Sequence, residues 1–93
     1  MLSSKTRAAL RAEAHHLPVT VHIGHLGVTD AVLQSLDDAL RTRELVKVQF
    51  SRSEETKVKD AANALAERAS ADVVQVIGRT ATFYRENPEL RER

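Results

Sequence analysis

The tetrapeptide Gly24-His25-Leu26-Gly27 is the stretch whose residue types and spacing most readily suggest chemistry. It follows an alternating apolar segment and precedes Thr29, a residue suited to capping a helix. A G-x-x-G turn at the mouth of a helix leaves backbone N–H groups sterically open, and the helix dipole favours negative charge there. Such a loop can hold a phosphate of a nucleic-acid backbone, as KH-type modules do. The plainer account is a tight turn that needs positive φ, for which glycine is the default. No G-x-G-x-x-G or Walker pattern is present, so nucleotide binding of those kinds has no support.

All four histidines, His15, His16, His22 and His25, fall within one short stretch. A zinc site needs three or four converging ligands. Here no carboxylate or cysteine sits at ligand spacing, and His15 and His16 suit a helix C-terminus. His22 belongs to the polar face of a strand, which leaves His25, at the loop tip, best placed to touch a ligand. Catalysis finds little: no G-x-S-x-G elbow occurs, Asp37-Asp38 reads as a solvated helix face, and Glu54-Glu55 is explained by a helix dipole. We therefore expect no enzyme activity, no metal and no cofactor.

Charge is segregated. Met1 to Val28 holds Lys5, Arg7 and Arg11 with the four histidines and a single acid, Glu13. Lys47, on the polar face of a strand, and Arg79, in a turn, add to the basic set.

These residues must be positioned by a short run of elements. Ser3 or Ser4 caps a first helix to about His16, with Ala9, Leu10, Ala14 and Leu17 as a thin apolar stripe, and Pro18 stops it. Val19 to Ile23 alternates as a half-buried strand. Thr29 opens a second helix through about Thr42, with Val32, Leu33, Leu36 and Leu40 on its apolar face. Leu45 to Phe50 is a second strand with Val46, Val48 and Phe50 inward. Ser53 is read as the cap of a third helix, whose stripe is Val58, Ala61, Ala62, Leu65 and Ala69. Val73 to Ile77, the turn Gly78-Arg79, and Thr80 to Arg85 form a terminal hairpin. The order α-β-α-β-α-β-β predicts an α/β domain with a four-stranded mixed sheet and two helices on one face. Residues 3–86 are expected to form the ordered core of a single domain and 87–93 a frayed tail.

The chain has 93 residues, 42% of them hydrophobic and 29% charged, which fits one small globular domain. Fourteen basic against thirteen acidic side chains exclude a polycation that binds nucleic acid by bulk charge. Only Phe50, Phe83 and Tyr84 are aromatic, so a base-stacking platform is disfavoured. Cysteine is absent, which removes disulfides and thiolate chemistry. Neither a membrane-spanning run nor the apolar core of a secretory signal is seen, and a cytoplasmic location is expected.

Taken in order, the opening L-S-S-K-T-R-A-A-L-R-A-E-A-H, then V-H-I-G-H-L-G-V-T, then E-L-V-K-V, and the ending V-Q-V-I-G-R-T-A-T-F-Y-R resemble the YhbY-type stand-alone CRM domain (chloroplast RNA splicing and ribosome maturation) over about residues 2 to 85. The resemblance implies a fold similar to the C-terminal domain of bacterial translation initiation factor three. It also implies non-catalytic RNA binding and association with ribosomal RNA in large-subunit precursors. The matching positions are Gly24, His25, Leu26 and Gly27, joined by Thr29, with Lys5, Arg7, Arg11, Lys47 and Arg79 as basic contacts. Where the family loop commonly has a basic and a small polar residue, this chain has His25 and Leu26. Two other readings stand beside it: a protein–protein adaptor working through the apolar tip Leu26 to Val28, and a histidine-based metal-binding protein.

Overall fold

The structure, a computed structural model, describes residues 2–24, 27–51 and 57–90. Helix α1 (Ser4–Ala14) begins where the Ser3 hydroxyl accepts the Thr6 N–H at 3.1 Å. Strand β1 (Val19–Ile23) leads to helix α2 (Asp30–Arg43), which the Thr29 hydroxyl caps by accepting the Val32 N–H at 3.2 Å. Strand β2 (Leu45–Phe50), helix α3 (Val58–Ala69), strand β3 (Asp72–Ile77) and strand β4 (Thr80–Tyr84) complete the expected order.

The sheet order is β1-β2-β4-β3. β1 and β2 are parallel, and β4 runs antiparallel to both of its neighbours. The hairpin therefore returns its second strand into the slot between β2 and β3. The central strands bury Val46, Val48, Ala81 and Phe83 almost completely under α2 and α3. Ala62, Ala66 and Ala69 on α3 are small, which lets that helix lie close to the sheet. On the opposite face, α1 places Leu10 and Ala14 on Leu45 and Val74.

Two local expectations are corrected and a third lies outside the described residues. Helix α3 starts at Val58 behind Lys57, which makes no side-chain cap bond. Val58 and Ala61 are the first residues of that helix to pack on the core, so apolar contact sets its start. Ser53, Glu54 and Glu55 lie outside the described residues. Ala9 is exposed, because Leu10 and Ala14, four apart, define the buried stripe of α1. Of the segment read as a frayed tail, the described part, residues 87–90, holds a 3-10 turn at Pro88–Leu90. It is anchored by Asn87, whose N–H donates to the Glu44 carboxylate at 2.7 Å and whose amide donates to the Arg41 carbonyl at 2.6 Å.

Candidate functional site

Three chain segments meet at the end of the sheet where β1 and β2 finish and the β3–β4 turn reverses. The Ser51 N–H donates to the Ile23 carbonyl at 2.8 Å, and the Phe50 N–H donates to the Arg79 carbonyl at 2.8 Å. Arg79 returns the contact: its Nε donates to the Phe50 carbonyl at 3.2 Å and its Nη2 to the Ser51 carbonyl. This cation, singled out in the sequence, thus fastens the turn to the end of β2.

The two loop glycines differ. Gly27 has φ +78°, a conformation that side chains rarely adopt, and its N–H donates to the Gly24 carbonyl at 2.9 Å. Gly24 lies outside the left-handed region, and a Cβ built on it meets nothing within 4 Å. Turn geometry therefore accounts for glycine at 27, whereas neither backbone angle nor space among the described residues demands it at 24. His25 and Leu26 lie outside the described residues. Thr29 is exposed and serves as the cap of α2. A helix leaves its first N–H groups to outside partners, which here points to those of Asp30 and Ala31. The Asp30 carboxylate stands in the same turn and already supplies negative charge to that helix end.

The remaining nominated cations are dispersed. Lys5 and Arg11 are exposed on α1, whose packing on Leu45, Val74 and Tyr84 sets it toward the far end of the strands from Gly24. Arg7 is half-buried, and its Nη1 donates to the carbonyls of Val73 and Val74, where β3 shifts register against β4. Lys47 is half-buried on the α1 side of the sheet. The structure therefore brings Gly24, Gly27, Thr29 and Arg79 to one end and leaves Lys5, Arg7 and Arg11 apart from them. Arg85, a further basic residue, is bound within the fold by Asp37.

Val28 packs against the core, which withdraws it from the apolar tip an adaptor would present. His15 and His16 meet edge to face at 5.7 Å, and among the described residues no three His, Asp or Glu side chains converge as a metal ion requires. Among the same residues no helix is long and apolar enough to cross a membrane.

Comparison with known proteins places this geometry in a family. The model of the CRS1/YhbY (CRM) domain matches residues 2–85. The chain is 36% identical over 92 residues to the probable RNA-binding protein YqeI of Bacillus subtilis, covering 99% of this chain and 96% of the relative. It is 33% identical over 90 residues to a Haemophilus influenzae RNA-binding protein, covering 97% and 91%. Its fold superposes on the solution structure of SAV1595 from Staphylococcus aureus with a TM-score of 0.78 at 34% identity, covering 94% of this chain and 91% of that one. By the span of that match and by these relatives, the chain belongs to the CRS1/YhbY (CRM) domain family.

Proposed function

We propose that this chain is a non-catalytic RNA-binding module that associates with ribosomal RNA in precursors of the large subunit and assists their assembly. The observation that carries the loop's part in this is Gly24, a glycine without positive φ and, among the described residues, without a crowded Cβ position. Close approach of a partner's backbone is a physical reason to keep a side chain away from such a position. An RNA phosphate there sits beside the first N–H groups of α2, and the exposed Lys5 and Arg11 add longer-range attraction. Affinity then rests on the RNA backbone, which suits a module with three aromatic residues and near-zero net charge. The relatives named as RNA-binding proteins support the same reading.

Crosslinking in cells followed by sequencing of the attached RNA tests the proposal. Reads are expected to concentrate in large-subunit ribosomal RNA, with the protein sedimenting among subunit precursors. An even spread over messenger RNA would overturn the ribosomal assignment.

Asp30 gives a gain-of-affinity test. Its carboxylate shares the mouth of α2 with the proposed phosphate, so Asp30→Asn is expected to tighten RNA binding about two- to fivefold at low salt. The gain should shrink as salt is raised. Fluorescence anisotropy with a labelled ribosomal RNA fragment measures it, and weaker binding by Asp30→Asn would place the phosphate elsewhere.

A further inference from the structure

Among the described residues, the part of the sheet nearest Gly24 is uncovered on the side that carries α1, because that helix packs on Leu45, Val74 and Tyr84 toward the other end. There the pairing registers align one residue from each strand. His22 lies opposite Gln49, Gln49 opposite Thr80, and Thr80 opposite Ile77. Strand alternation turns this row away from Val48, Phe50 and Ala81, which face α2 and α3. At the usual strand spacing the row is about 14 Å long. His22 and Gln49 are exposed, Thr80 is half-buried, and Ile77 is 66% exposed, unusual for so large an apolar side chain.

The chemistry of the row narrows its occupant. An imidazole, an amide and a hydroxyl offer both donors and acceptors beside one apolar surface. The neighbouring row, Lys47 opposite Thr82 opposite Gln75, contributes a cation, and neither row contains a carboxylate. That combination suits a polyanion that also presents flat hydrogen-bonding edges. His22 is two residues before Gly24, so the row is continuous with the loop. Four-stranded RNA-binding sheets of this width take two or three bases, although usually on aromatic rings, which this row lacks.

We propose that the His22–Gln49–Thr80–Ile77 row receives unpaired nucleobases of an RNA whose backbone is held at Gly24, an inference that rests on the RNA-binding reading above. Gln49 and Thr80 meet base edges by hydrogen bonds, and Ile77 lies against a base face. Paired RNA, with its base edges engaged, gains nothing from the row.

The test compares wild type, Ile77→Ser, Gln49→Ala and Gly24→Asp by fluorescence anisotropy with two probes: an unstructured ten-nucleotide RNA of mixed A and U, and a blunt-ended RNA duplex without a loop. Ile77→Ser and Gln49→Ala are expected to weaken oligonucleotide binding about five- to tenfold each, with duplex binding and the salt dependence unchanged. Gly24→Asp should weaken both probes. Both row positions are exposed, and circular dichroism checks that the variants keep the fold. Row variants that bind the oligonucleotide like wild type, while Gly24→Asp does not, overturn this inference and leave the loop reading intact. Conversion of a wild-type dimer to a monomer by Ile77→Ser, with oligonucleotide affinity unchanged, would make the row a protein contact and overturn it equally. Wild-type binding by Gly24→Asp overturns the loop reading, and this inference with it.

Discussion

Gly24→Asp is expected to lower RNA affinity on the order of a hundredfold while leaving stability within about 0.5 kcal/mol of wild type. The loss has two sources. A side chain would occupy space the phosphate needs, and a carboxylate there repels the phosphate at short range. The fold has little reason to object, since Gly24 is exposed, its φ is outside the left-handed region, and a Cβ meets nothing within 4 Å among the described residues. Gly27 is the poorer probe, because at φ +78° any side chain also strains the turn, which confuses lost binding with a lost loop. Gly24→Ala separates the sources by adding bulk without charge, and should fall between wild type and the aspartate variant. Anisotropy titrations at fixed ionic strength, paired with thermal melts, decide the matter. Undiminished binding by a folded Gly24→Asp protein would make the loop purely structural.

The second large effect is on stability. Arg85→Leu is expected to cost about 2–3 kcal/mol, a fall in melting temperature of roughly 10–20 °C. The Arg85 guanidinium donates from Nη1 to the Ala69 carbonyl at 2.8 Å, at the end of α3. From Nη2 it reaches the Asp37 carbonyl at 3.2 Å and the Asp37 carboxylate at 2.9 Å, on α2. With its side chain 21% exposed, it is a tie between two helices and the end of β4 more than a surface ion pair. Leucine fills part of the volume but leaves the Ala69 carbonyl without that donor. Arg85→Lys, a single-point donor, should recover only part of the loss. Urea unfolding should show a lower midpoint with an unchanged slope. A change under about 0.5 kcal/mol would mean that the pair behaves as an ordinary solvated one.

Alternation was the most legible signal. Val19–Ile23 and Leu45–Phe50 read as strands with the bounds the structure shows, because period-two burial is written locally. The caps Ser3 and Thr29 were legible for the same reason. Ser53-Glu54-Glu55 lies outside the described residues, whereas α3 begins at Val58, where Val58 and Ala61 first pack on the core. Asn87 could not be foreseen as an anchor, since its partners Arg41 and Glu44 lie more than forty residues away. The arginines show the same limit: Arg7 and Arg79 look like phosphate ligands in sequence, yet both donate to carbonyls of distant strands. The row across the sheet was half visible. His22 and Gln49 were polar-face residues on paper, but their alignment with Thr80 and Ile77 depends on which strands are neighbours.

The position of β4 has a consequence for how the chain acquires its structure. Strand β4, which follows β3 in the chain, sits between β2 and β3, and its Ala81 and Phe83 are fully buried in the sheet's centre. Until those residues are available, β2 lacks a partner on one side and β3 has no sheet to join. Early cooperative folding from the N-terminal end is therefore closed to this domain, since its central pairing spans long sequence separations and must wait for the hairpin. During synthesis the edge of β2 that β4 will cover stays open until the hairpin has been made, a period in which a misplaced strand from another chain could take the slot meant for β4.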